Sequence, residues 1–291
     1  MSTFRGLLRL SAALPWLPGA LLARNLRPGI RILMYHRVRA TGEFDQLSVH
    51  PDRFEQQMDW LRRSGRVVSL DETLAAVQSG KIEQQAFAVT FDDGYLDNLQ
   101  VALPILKAHR IPATIFITVA FCDQTARHAR YPNDAGRLHL DWDEVRELAA
   151  QPGISIGSHT LSHPNLPRLP TVDAQREIAE SRARIQMQIA RPVAHFCYPS
   201  GDLGPREAQL ARSAGYLSAV TVAPGVNRAG ADAYQLRRTE VTDRDIGWAF
   251  ALKLAGSYDG IHALLHRRRL RQFERQARSL SAPLTAGGGM G

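Results

Sequence analysis

Short apolar runs alternate with stretches whose apolar positions recur every three or four residues, and this alternation organises the chain from Arg31 onward. Ile32-Leu33-Met34-Tyr35 reads as a buried strand. In the segment 51–64, Phe54, Met58 and Leu61 fall at i, i+4 and i+7, and Pro51 suits a first helical turn, so a helix is predicted there. Further strands are predicted over 66–69, 86–91, 112–119, 154–157, 195–198, 218–222 and 235–241. The run Ala86 to Phe91 is apolar almost throughout, as expected of a strand covered on both faces. Helices are predicted over 70–79 (stopped by Gly80), 96–109, 141–150, 171–190 and 205–214. The longest of these puts Ala174, Ile178, Ile185 and Ile189 on one face. Repeated β–α alternation predicts a parallel sheet with helices outside, either open or closed into a barrel.

Charge changes this picture only at the ends. Of the formal net charge of +8, residues 1–42 carry +7 and residues 260–291 carry +5, which leaves the body from Glu43 to Asp259 at −4. An acidic body argues against a nucleic-acid binder, and none is expected as a partner. Basic termini suit peripheral association with an anionic membrane surface, or solvent alone. Leu10 to Ala23 is a 14-residue uncharged stretch, too short to span a bilayer and interrupted by Pro15 and Pro18. It reads as an interfacial arm or a packed helix, with an atypical secretion signal as the alternative; a cytoplasmic or membrane-peripheral location is the expectation. The expected organisation is an arm over residues 1–29, a catalytic unit over 30–259 and a basic C-terminal helix and tail over 260–291. Cys122 and Cys197 are too few for a disulfide framework or a Cys-rich zinc module.

Candidate chemistry sits where the strands end. Thr90-Phe91-Asp92-Asp93-Gly94 closes one apolar run, and Ser158-His159-Thr160-Leu161-Ser162-His163 follows about 65 residues later. Two carboxylates and two imidazoles are one acid more than a hydrolytic metal site needs for ligation, and the spare acid can serve as general base. Tyr35-His36, Asp92-Asp93, His159 and Tyr198-Pro199 all fall at C-terminal ends of predicted strands, the rim where parallel α/β folds gather their catalytic groups.

The segments Leu33-Met34-Tyr35-His36, Thr90 to Tyr95, Pro112 to Phe116, Gly157 to His163 and Tyr198-Pro199-Ser200-Gly201 together resemble the polysaccharide deacetylase family, over nearly all of Arg31 to Val241. The resemblance implies a distorted (β/α)₇ barrel that removes acetyl groups from sugar polymers with one divalent cation, Zn²⁺ in the first instance, with Co²⁺ or Ni²⁺ as alternatives. It implies Asp93, His159 and His163 as the metal triad and Asp92 as general base. A backbone N–H near Tyr198-Pro199 is the implied oxyanion donor, and Trp142 is a candidate wall of the acetyl pocket. The implied substrate is an acetylated glycan or lipid-linked sugar.

Two positions depart from the family pattern. The arginine expected two residues before Pro199 is replaced by Cys197, and residues 236–245 contain Arg237 and Arg238 but lack the usual histidine. The branch resembling exopolysaccharide deacetylases offers a permuted solution, with a first-strand histidine as general acid; here that is His36. First and last strands are neighbours in a closed barrel, so either can present the imidazole. The two departures also admit a non-catalytic carbohydrate-binding or scaffold protein. His50, His109, His128, His139 and His195 are expected to be surface or packing residues, and Cys197 a small buried hydrophobe. His262 is the reserve acid.

Overall fold

The computed structural model describes residues 28–261 and 263–265. The N-terminal arm, His262, His266 and most of the basic C-terminal segment lie outside the described residues. No helix among the described residues is long and apolar enough to cross a membrane.

Seven parallel strands form a nearly closed barrel. They are β1 (Ile30–Tyr35), β2 (Ala86–Phe91), β3 (Ala113–Ile117), β4 (Ile154–Ser158), β5 (His195–Cys197), β6 (Ser218–Val220) and β7 (Arg238–Glu240). From β1 to β6 the strands pair in succession, and β7 pairs with β1 through Ile32↔Arg238, Leu33↔Thr239 and Met34↔Glu240. The remaining seam is bridged by Val220↔Leu236, with Leu236 N–H donating to Ala219 O at 3.0 Å. A two-residue strand at Arg66–Val67 adds to the edge of β2. The helices pack outside: α1 (Pro51–Ser64), α2 (Leu70–Ser79), α3 (Leu103–His109), α4 (Val119–Cys122), α5 (Trp142–Ala149), α6 (Thr171–Ile189), α7 (Pro205–Ser213) and α8 (Gly247–Ala255).

Period-two alternation along the strands divides the core into two layers. Leu33, Tyr35, Phe87, Val89, Phe91 and Ile115 face the helices. Ile30, Ile32, Ala86, Ala88, Phe116, Cys197 and Val220 fill the barrel. Small residues on β2 make room for Phe116, and Gly157 does the same from β4: a Cβ there would meet the Phe116 ring at 2.3 Å. Local signals set the helix ends. Ser69 and Glu72 form a reciprocal capping box at α2, Asp141 and Glu144 form another at α5, and Gly80 ends α2 in the left-handed conformation. Such a cap contributes about 1 kcal/mol. One expected helix is interrupted: before α3 the chain makes a π-helical turn over Asn98–Ala102. Asn98 uses its side-chain amide to hold the His36 carbonyl at 2.8 Å, so the irregular turn anchors a rim residue.

Candidate active site

Each strand end delivers one component to the C-terminal rim. Asp92 and Asp93 follow β2, and Asp92 N–H donates to Tyr35 O at 3.0 Å, locking this turn to β1. His159 follows β4. Its Nδ1 lies 2.8 Å from the Cys197 carbonyl, which can only accept, so Nδ1 carries the proton and Nε2 keeps its lone pair. His163 enters on the following turn, whose backbone is held by Glu177 of α6. The Glu177 carboxylate accepts from Leu161 N–H and Ser162 N–H, both at 2.9 Å, and from Ser162 Oγ at 2.7 Å. Asp93, Thr160, His163 and Ser200 all have positive φ (69°, 73°, 60° and 56°). Left-handed backbone at non-glycine residues stores about 1–3 kcal/mol each and collects at functional sites.

Asp93 Oδ1 is buried with no hydrogen-bond partner. It lies 3.5 Å from His159 Nε2 and 3.4 Å from His163 Nε2. A buried carboxylate oxygen facing an imidazole lone pair fits a cation between them and fits little else. Burial pushes His163 below the ordinary imidazole range, keeping it neutral and ready to ligate. Burial would raise the Asp93 carboxyl, but the positive charge that His163 and His159 carry when protonated outweighs it and lowers the group.

Asp92 stands apart from the donor set in one respect. Arg238 of β7 crosses the barrel and grips it in both arms, Nη1 to Oδ1 and Nη2 to Oδ2, each at 2.7 Å. The guanidinium is buried to 0% exposure and is further fixed by Thr221 O at 2.9 Å and Thr90 Oγ1 at 3.2 Å. Burial alone would raise Asp92; Arg238, with His159 and His36 behind it, brings the carboxyl below its usual range. Cys197 is therefore more than a filler. Its Sγ lies 3.1 Å from Arg238 Nη2 and 3.5 Å from Asp92 Oδ2, and burial pushes the thiol well up, so it stays neutral beside the ion pair. The arginine absent from position 197 is thus supplied from position 238.

These groups open on a cavity of ≈ 580 Å³ whose walls include His36, Asp92, Asp93, His159, His163 and Arg238. Three expectations fail here. Trp142 does not line this cavity; its indole N–H donates to Asp123 Oδ1 at 2.8 Å on the outside of the barrel. Tyr198 is fully buried, its hydroxyl donates to Tyr234 O and its N–H to Val220 O at 3.3 Å, so that amide is occupied by strand pairing. Pro199 has no N–H to offer, and of this segment it is Ser200 that reaches the cavity wall. His128 is the third: instead of packing on the surface it lines the cavity 3.8 Å from Asp93 Oδ2. Nothing in its sequence context marks it.

Sequence reasoning also passed over Arg238 as a site residue, and its role carries a test. Arg238→Met removes the largest opposition to the burial of Asp92, so its pKa rises. The acidic limb of a pH–activity profile should move to higher pH, with Arg238→Lys in between. In stability the sign is the same. A carboxyl whose folded pKa is depressed stabilises the fold above its unfolded pKa, and that contribution is lost as pH falls through the folded value. The Met variant should give up this acid resistance in thermal melts below pH 5.

By fold and donor set, then, the chain falls among parallel α/β barrels with a candidate His/Asp cation site on the C-terminal rim. It belongs to the polysaccharide deacetylase family. The family profile matches residues 79–219. YxkH of Bacillus subtilis, assigned to the polysaccharide deacetylases, is 32% identical over 221 residues, covering 75% of this chain and 74% of YxkH. The poly-β-1,6-N-acetyl-D-glucosamine N-deacetylase of Escherichia coli is 29% identical over 149 residues, 48% of this chain but 22% of that enzyme. Among solved structures, IcaB from Ammonifex degensii superposes with a TM-score of 0.65 at 26% identity, covering 78% of this chain and 97% of IcaB. The Streptococcus pyogenes deacetylase PplD, solved with acetate, superposes with a TM-score of 0.68 at 23% identity, covering 78% and 99%.

Proposed function

We propose that the protein is a cation-dependent hydrolase that removes acetyl groups, most readily N-acetyl, from an amino-sugar polysaccharide or glycan. The observation that carries this reading is the pairing of an ionised, Arg238-held Asp92 with the buried, unpartnered Asp93 Oδ1 between two imidazoles. A binding module has no need of the first beside the second. The non-catalytic alternative rested partly on a missing arginine, and Arg238 provides that guanidinium.

A divalent cation held by Asp93, His159 and His163 would supply Lewis acidity, lowering the pKa of water and polarising the acetamide carbonyl. Asp92 accepts the attacking water's proton on the lone pairs that Arg238 leaves open. Arg238 fixes the carboxylate's orientation and keeps it ionised between turnovers. His36, on the same cavity wall, protonates the departing nitrogen, so that acetate and a free amino sugar leave. Membrane association through the basic termini rests on segments outside the described residues.

The role of His36 is separable by leaving group. His36→Ala should keep cation binding and substrate affinity while slowing acetamide cleavage by about 10²-fold or more, the usual scale for a positioned acid. An aryl acetate, whose leaving group departs without a proton, should be hydrolysed at a rate much closer to that of the unaltered protein. Equal losses on both substrates would remove His36 from this role. The direct test of the whole reading is acetate release by cation-reconstituted protein across acetylated glycans; no release from any would sink it.

A further inference from the structure

His128 belongs to the excursion between α4 and α5, and its ring is held in one tautomer. Arg130 N–H donates to His128 Nδ1 at 3.2 Å, so in the neutral ring the proton lies on Nε2. Nε2 faces Asp93 Oδ2 at 3.8 Å. The His128 backbone N–H in turn donates to His139 Nε2 at 3.2 Å, which leaves His139 Nδ1–H to donate to the Asp93 carbonyl at 3.0 Å. The His139 ring is stacked between Phe121 and Tyr95, with centroids 4.2 and 4.8 Å away. A hydrogen bond from Tyr131 Oη to Asp45 (2.5 Å) and two ion pairs, Arg130 Nε to Asp45 (3.1 Å) and Arg39 Nη1 to Asp134 (2.8 Å), pin the rest of the excursion. A surface loop anchored this heavily, with one imidazole aimed at a buried carboxylate, is built to present that imidazole.

We propose that His128 is a positioning residue of the cation site, donating Nε2–H to Asp93 Oδ2. The carboxylate is thereby divided, with Oδ1 left for the cation and Oδ2 held by the protein, which favours one-oxygen ligation. The 3.8 Å separation is an electrostatic contact in this structure, and the proposal is that it shortens to a hydrogen bond when the cation is bound. Donors placed behind a ligating group in this way typically change cation affinity about 10–100-fold. This inference rests on the cation reading of the site.

The test is Co²⁺ and Zn²⁺ affinity of the full chain by chelator competition, with the Co²⁺ d–d absorption recorded alongside. His128→Ala should weaken binding about 10–100-fold with the d–d bands unchanged, because no ligand is lost. His128→Gln, which retains an N–H donor, should recover much of the affinity. Unaltered affinity in the Ala variant overturns the proposal and leaves the cation site standing. Shifted d–d bands that Gln does not restore also overturn it, by making His128 a direct ligand. Failure of the unsubstituted protein to bind either cation removes the cation reading and the proposal with it. Thermal melts of the cation-free proteins check that the Ala variant is folded.

Discussion

Alanine at His159 or His163, and asparagine at Asp93, are each expected to reduce acetyl release to the uncatalysed background while leaving a folded barrel. Asparagine is chosen at position 93 because φ is 69° there, a conformation that Asn tolerates better than Ala. The cation-free barrel should still fold, with a modest loss where alanine replaces His163 on left-handed backbone (φ 60°). Asp93 Oδ1 has no hydrogen-bond partner to lose, so the cost of the neutral amide is confined to the lost attraction between the carboxylate and the neighbouring imidazoles. What should vanish is the stabilisation that added cation brings, about 2.7 kcal/mol at a hundredfold excess over Kd. Melting curves with and without Zn²⁺, beside metal analysis of the purified proteins, measure both. Stoichiometric metal in all three variants would defeat the ligand assignment.

Asp92→Asn should separate catalysis from binding. The amide cannot take a proton from water, so turnover is expected to fall about 10²–10⁴-fold with cation content unchanged. The same change leaves Arg238 as a buried charge without its counter-ion, and breaking such a pair costs about 3–5 kcal/mol. The variant should therefore melt well below the unaltered protein. Adding Arg238→Met to Asp92→Asn removes the orphaned charge and should restore much of the stability but none of the activity. That contrast distinguishes a general base from a structural turn residue. Wild-type-like rates in Asp92→Asn would settle the matter against the base.

Helix limits were legible to the residue where the signals are local. Pro51–Ser64 and Leu70–Ser79 begin and end as expected, because a proline at the first turn, the Ser69–Glu72 capping box and Gly80 act within a few residues of the chain. Ala86–Phe91 was equally plain, as a continuous apolar run between polar segments. The strands flanking the barrel seam were drawn too long. The last was expected over 235–241, but Ala233–Gln235 forms a 3₁₀ turn and the strand is Arg238–Glu240, since its extent depends on which neighbours close the barrel.

The sequence by itself determined which residue types stand at which strand ends. Asp92, Asp93, His159 and His36 were all found there, because strand period and turn position are properties of neighbouring residues, and with His163 from the turn that follows they meet in one cavity. Only the tertiary structure decided what surrounds them. Arg238 reaches Asp92 across 146 positions of sequence, and only a closed barrel makes β7 adjacent to β1 and turns that side chain inward. Position 197 looked like a lost arginine because a motif is read along one strand, whereas a barrel interior can receive the same charge from several. His128 could not be placed for a related reason: its loop has no periodicity to read, and the contacts that aim it come from Asp45, Asp134 and His139. Long-range electrostatics and loop anchoring arise from packing, and packing is not a local property of the chain.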